Sequence, residues 1–166
     1  MSAVTRSKLR ELSERCVREL LARGLTVASA ESCTGGLIAK SITDIPGSSA
    51  VFAGAAVTYT DEVKIGFLGV PRETVRKFHA VSPQTAEAMA KAAALNIGAD
   101  IGVSTTGIAG PSSDESGQPV GTVFIGLYHN GKTAIKSLTE DLGSRDANRV
   151  NAAGEALKSI ISELKE

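Results

Sequence analysis

Two short apolar runs, residues 25–30 (LTVASA) and 100–105 (DIGVST), each pass directly into a loop of small residues broken by glycine. The first loop is Glu31-Ser32-Cys33-Thr34-Gly35-Gly36, and an apolar pattern at helical spacing follows through Leu37, Ile38 and Ile42. The second is Thr106-Gly107-Ile108-Ala109-Gly110-Pro111. A buried strand that ends in a glycine loop and gives way to a helix is the unit from which α/β sheets are built, and ligands of such sheets gather at the strand ends. Strand, small-residue loop and helix together aim backbone N–H groups at a bound anion or a carbonyl oxygen. No Gly-Lys-Ser/Thr closes the first loop, so it is not a P-loop. A plain capping turn, with Ser32 or Thr34 as N-cap, is the alternative.

The other elements fit this frame. Residues 4–23 carry Leu9, Leu12, Cys16, Leu20 and Leu21 at helical spacing, and Gly24 ends the run. Pro71 opens a short helix, with His79 as an ordinary loop or cap residue after it. Ser82-Pro83 starts another, which runs through alanine-rich sequence to Asn96 and stops at Gly98. Asn130-Gly131 between residues 120–129 and 132–138 is a two-residue hairpin signal, so the sheet is mixed. Ser144 caps a long C-terminal helix. Neither a repeat nor a linker divides residues 1–166, which predicts one domain. Eighteen basic and eighteen acidic residues cancel, which argues against a broad electrostatic footprint for nucleic acid or membrane. Two cysteines and two histidines are too few for a disulfide framework or a zinc site. No apolar stretch spans a bilayer and no signal peptide opens the chain, so a reduced, cytoplasmic protein without a metal or other cofactor is expected. Seventeen glycines and no tryptophan predict closely packed backbone.

Chemistry concentrates in residues 46–64, PGSSAVFAGAAVTYTDEVK. A Pro46-Gly47 turn carries Ser48 and Ser49, a strand of small and β-branched residues runs to Tyr59, and Thr60 starts a helix that holds Lys64. Serine and lysine without histidine or aspartate are the raw material of a hydrolase in which a neutral lysine takes the serine proton. A turn, a strand aromatic and a solvated lysine form the alternative. Cys33 is a second candidate nucleophile, since a thiolate is favoured at a helix N-terminus, but no histidine neighbours it in sequence. Arg145 and Arg149 lie four apart on one face at the start of the last helix, where cations oppose the dipole. A bound anion would explain them, and a solvated basic face is the alternative.

Several of these segments together resemble the CinA C-terminal domain family. They are AESCTGG at 30–36, PGSSAVF at 46–52, VTYTDEVK at 57–64, TGIAGP at 106–111, PVGTV at 119–123 and the Gly143/Arg145/Arg149 pattern. The resemblance runs in order over nearly the whole chain. It implies a three-layer α/β/α domain with a mixed sheet and a nicotinamide-nucleotide amidase. Such an enzyme hydrolyses nicotinamide mononucleotide to nicotinate mononucleotide and ammonia through a Ser–Lys pair with an assisting tyrosine. The matching positions are taken as Ser49, Lys64 and Tyr59. Ser32, Cys33, Thr34, Gly35, Gly47, Ser48, Thr106, Gly107, Ala109, Gly110, Arg145 and Arg149 are the expected substrate-binding residues. Lys64 must then be neutral; burial and the helix N-terminus lower its pKa, while Asp61 and Glu62 oppose them. Longer family members carry an N-terminal domain, whose activity is not expected of this chain, and Gln118 stands where a lysine is common. A homodimer or higher homo-oligomer is expected, in line with the family's tendency to self-associate. The small residues of strand 51–57 suit close approach by another backbone, of the same chain or of a neighbour, and the sequence does not say which face pairs. A non-catalytic nucleotide-sensing domain with the same pocket is the competing reading.

Overall fold

Helix α1 (Arg6–Arg23) begins where Thr5 Oγ1 accepts the Lys8 N–H at 3.2 Å and buries Leu9, Leu12, Cys16, Val17 and Leu20 along one stripe. Gly24 stops it in the left-handed region that glycine enters without steric cost, at φ 64°. The computed structural model describes residues 3–165. The strands are β1 (Val27–Glu31), β2 (Phe52–Val57), β3 (Ile101–Gly107), β4 (Val123–His129) and β5 (Lys132–Leu138), in the order β2-β1-β3-β4-β5. β1 is parallel to both β2 and β3, whereas β4 and β5 are antiparallel and joined at Asn130-Gly131. Both turn residues have positive φ, as the hairpin signal requires. The sheet is therefore mixed, and the fold is α/β.

The remaining helices are α2 (Leu37–Thr43), α3 (Asp61–Gly66), α4 (Arg72–Phe78), α5 (Pro83–Ile97) and α6 (Arg145–Glu163). Helices α1, α2 and α6 pack together on one face of the sheet, over a core that includes Leu20, Ile38, Ile101, Ile125 and Leu157. α5, with α3 and α4 beside it, covers the other face over Ala28, Ala30, Leu68, Met89 and Ala93. Three layers result. Close backbone approach is real where α5 crosses the sheet. A Cβ on Gly102 would lie 2.0 Å from the Ala90 carbonyl oxygen, and one on Gly126 would lie 2.4 Å from that of Ala86. Ser104 Oγ donates to the Ala86 carbonyl at 2.6 Å and fixes that contact.

The caps expected at Thr60, Ser82 and Ser144 form, each side-chain oxygen accepting an N–H three residues on. Several boundaries differ from expectation: β2 ends at Val57 instead of Tyr59, and β4 begins at Val123 instead of residue 120. β1 runs from Val27 to Glu31 instead of stopping at Ala30, so Glu31 is the last strand residue. The N-cap of α2 is Gly36, without any side-chain cap bond; neither Ser32 nor Thr34 takes that place. No helix among the described residues is long and apolar enough to cross a membrane. What matters most for the site is the parallel register: Glu31 lies opposite Val57 on one side and Thr105 on the other. The residues that leave these strands therefore emerge together at one sheet end.

Candidate active site

Ser32 and Thr58 are the first residues beyond the ends of β1 and β2, and Thr106, still within β3, follows the Thr105 that pairs with Glu31. The Ser32 N–H extends the ladder to the Thr105 carbonyl at 2.9 Å, and the Thr58 N–H does the same to Glu31 at 2.9 Å. Thr60 then caps α3, and its first turn swings Lys64 back over the strand ends. The Lys64 amine reaches Ser32 Oγ at 3.1 Å and donates to the Thr58 carbonyl at 2.9 Å. Lys64 is 1% exposed and Ser32 8%. Burial pushes the Lys64 amine below its ordinary value of 10.5, while the charge of Asp61, and secondly Cys33, pull it partly back. The Thr58 hydroxyl is buried and has no hydrogen-bond partner among the described residues.

Ser32 and Lys64 open into a cavity of about 200 Å³ lined by residues that include Tyr59, Asp61, Val81, Thr106, Gly107 and Arg145. The Tyr59 hydroxyl accepts from Arg145 Nη2 at 2.8 Å, and Arg145 Nη1 donates to the Gly110 carbonyl at 2.6 Å. Tyr59 thus lines the cavity with Lys64, but its hydroxyl is engaged by Arg145 and does not bridge serine and lysine. Thr106 and Gly107 also line the wall, although the Thr106 hydroxyl is spent on the Ala80 carbonyl at 2.7 Å. Ala109 lines the cavity too, and its carbonyl accepts from Asn148. Gln118 donates to the Val81 carbonyl at 2.7 Å, which ties the polar loop down beside the cavity.

Five expectations are corrected. Ser49 is exposed in a 3₁₀ turn (Ser48–Ala50) that precedes β2, whereas Lys64 follows it. Six strand residues separate those ends by roughly 20 Å, so a serine and a lysine that flank one strand in sequence cannot meet. Gly47 and Ser48 share that far end and do not line the cavity. Arg149 turns away from it: Nε donates to the Cys33 carbonyl at 3.1 Å and Nη2 to that of Thr34 at 2.8 Å. Thr34 is buried against Glu31 and Thr105, and a Cβ on Gly35 would meet Arg149 Nη2 at 3.2 Å, so both support the turn from behind. Cys33 lines the cavity, but burial above all, with the charge of Glu31, pushes its thiol up to about 12, against the weaker pull of Lys64 and Arg149. A thiol so protonated is a poor nucleophile.

Sequence reasoning missed Asp61, Ala80, Val81, Ile108 and Asp114 as cavity residues, and Glu31 as the partner of the turn. Position directly after the first buried strand was the available signal for Ser32 as more than a binding residue.

The CinA C-terminal domain profile matches residues 9–164. The chain belongs to that family. A CinA-like protein of Kosmotoga olearia is 49% identical over 149 residues, covering 90% of this chain and 36% of its own. A Clostridium botulinum relative named for competence and damage induction is 48% identical over 153 residues, covering 92% of this chain and 37% of its own. The chain thus spans little more than a third of the length of these curated relatives. Among solved structures, the competence/damage inducible protein CihA from Agrobacterium tumefaciens superposes with TM-score 0.92 at 39% identity, covering all of both chains. A CinA superfamily protein from Klebsiella pneumoniae gives 0.91 at 32%, covering 95% of this chain and 98% of its own.

In this CinA domain, the buried amine couples folding to pH. Between the lowered native pKa of Lys64 and its ordinary 10.5, the unfolded chain holds a proton that the folded chain releases. Stability contributed by this group therefore rises with pH across that window. Urea unfolding of the wild type and of Lys64→Met at a series of pH values checks it. The difference between the two should rise toward alkaline pH and level off near the ordinary lysine value. Parallel profiles would contradict the lowered pKa.

Proposed function

We propose that the protein hydrolyses the carboxamide of nicotinamide mononucleotide to nicotinate mononucleotide and ammonia, in pyridine nucleotide recycling. The observation that carries this reading is the 3.1 Å contact between Ser32 Oγ and the almost fully buried Lys64 amine, whose two partners are neutral oxygens. Burial without a contacting carboxylate favours a neutral amine, which is what a lysine base requires. A sensing module would need the cavity but not this pair. The sequence resemblance to nicotinamide-nucleotide amidases supports the choice of substrate.

An amide is a poor electrophile, so the site must supply a nucleophile, a proton for the leaving amine and donors for the oxyanion. Ser32 Oγ attacks the carboxamide carbon as its proton passes to Lys64 Nζ. The tetrahedral intermediate collapses to an acyl ester on Ser32, and Lys64 returns the proton to the departing ammonia. Water then attacks the ester with Lys64 again as base, and the acid leaves with Ser32 restored. Within the turn, the N–H groups of Cys33 and Thr34 find no acceptor in any other described residue, and they are the donors assigned to the oxyanion. The slot of about 200 Å³ suits the flat pyridine carboxamide, with Arg145 at its rim for the phosphate.

Ammonia release from nicotinamide mononucleotide tests the assignment. Ser32→Ala and Lys64→Met should each lower the rate by roughly 10³-fold or more, with the double variant little worse. Ser49→Ala and Cys33→Ala should retain most activity. Because Asp61 holds the Lys64 pKa up, Asp61→Asn should move the acidic limb of the pH–rate profile to lower pH. Full activity in Ser32→Ala would overturn the reading.

Self-association belongs to the same reading. β2 is an edge strand, Ala53, Ala55 and Val57 are exposed on it, and no charged residue falls between Val51 and Tyr59. Natural edges without a pairing partner usually carry charges or proline to prevent pairing, so this one suits a second copy of the chain. Light scattering should show a dimer, and Ala55→Lys should dissociate it. A monomer at concentrations giving full activity would exclude the dimer.

A further inference from the structure

Glu31 closes β1, is fully buried, and accepts five hydrogen bonds on one carboxylate. Oε1 accepts from Ser29 Oγ at 3.0 Å and from the Ala39 N–H at 2.8 Å. Oε2 accepts from Thr34 Oγ1 at 2.7 Å and from the N–H groups of Gly36 and Ile38, both at 3.0 Å. A buried carboxylate is strongly disfavoured unless such donors replace water, and here three of them are orphan N–H groups at the start of α2. The bonds reach both sides of Ser32: Ser29 precedes it and the other four donors follow it.

The turn is gripped from its other side as well. Arg149 holds the carbonyls of Cys33 and Thr34, and Thr34 Oγ1 lies 2.7 Å from Thr105 Oγ1. The carbonyl of Thr105 receives the Ser32 N–H. Glu31 touches neither Lys64 nor the cavity wall, so it has no place in proton transfer. What it controls is the path of the chain between the strand and α2.

We propose that Glu31 is the positioning residue of the nucleophile. Its carboxylate folds residues 32–39 around itself, which delivers Ser32 Oγ to Lys64 Nζ and leaves the Cys33 and Thr34 N–H groups without an acceptor in any other described residue. The proposal rests on the assignment of Ser32 and Lys64 made above. Only a carboxylate fits. A glutamine amide, turned either way, sets its NH₂ against a backbone N–H, that of Ala39 at one oxygen position or those of Gly36 and Ile38 at the other. Tyr59, Thr106 and Arg145 come from other elements, so substrate binding is largely independent of Glu31.

Glu31→Gln should therefore lower kcat by about a hundredfold, the scale of an ångström-sized misplacement, while KM changes by less than about threefold. Thr34→Val, which removes one donor and the tie to Thr105, should act the same way more mildly, and Thr34→Ser should recover most of the rate. A fluorophosphonate probe reads the nucleophile independently of the substrate, since Ser32 Oγ displaces fluoride from phosphorus. Adduct formation at Ser32, followed by mass spectrometry across pH, should be at least about tenfold slower in Glu31→Gln and near wild type in Thr34→Ser. Its pH midpoint should not move, because the base is untouched. If Glu31→Gln does not fold, the Thr34 pair carries the test alone. Wild-type labelling rates in Glu31→Gln or, where that variant does not fold, in Thr34→Val, or a loss seen only in KM, would overturn the proposal. No Ser32 adduct in the wild type would overturn the Ser32–Lys64 assignment and this proposal with it. Slowed labelling in a protein that leaves nicotinamide mononucleotide intact would uphold the positioning role and refute only the substrate.

Discussion

The parallel pairing of β1 with a neighbour on each side decides where chemistry is possible in this chain. Parallel strands end at the same edge of a sheet, so the register that sets Glu31 opposite Val57 and Thr105 brings three separate loops to one place. Ser32 comes from the first loop, Lys64 from the helix after the second, and Thr106 and Gly107 from the third strand's end. The antiparallel hairpin of β4 and β5 widens the sheet, and α6, which follows it, brings Arg145 and Arg149 to the same end. Close contact between α5 and β3 and β4, where Gly102 and Gly126 leave no room for a side chain, keeps these layers in fixed relation.

Two buried ionisable groups at this end of the sheet are treated in opposite ways. Glu31 is surrounded by five donors and acts as a fixed scaffold. Among the described residues Lys64 meets a carbonyl and a hydroxyl and no carboxylate, and burial lowers its pKa, as the proposed role of base requires. The same low-polarity surroundings push Cys33 toward its protonated form and remove it as a competitor. Arg149, expected to bind substrate, instead holds the backbone carbonyls of Cys33 and Thr34, and Arg145 is the arginine that lines the cavity.

Much of the fold was legible because its signals are local. Caps at Thr60, Ser82 and Ser144, the glycine stops at Gly24 and Gly98, and the Asn130-Gly131 hairpin each depend on the preferences of one or two residues. The site was only half legible. Lys64, Tyr59, Arg145 and the two glycine loops were found, but Ser49 was paired with Lys64 because the two bracket one strand in sequence. Proximity along a chain is misleading there, since a strand is the element that carries its ends farthest apart per residue. The correct partner, Ser32, is 32 residues from Lys64 and is brought to it only by sheet order. Glu31 was unreadable for a similar reason: its five donors span residues 29–39 and become a cage only once the turn has closed.

The central claim, that Ser32 is the acylated nucleophile, is tested most directly by rapid acid quenching of the protein with nicotinamide mononucleotide, followed by peptide mass spectrometry. An acyl adduct of nicotinate mononucleotide on the peptide at Ser32, absent in Lys64→Met, is the predicted result. An adduct on Ser49 or Cys33, or turnover with label from water entering the product while Ser32→Ala remains active, would contradict it.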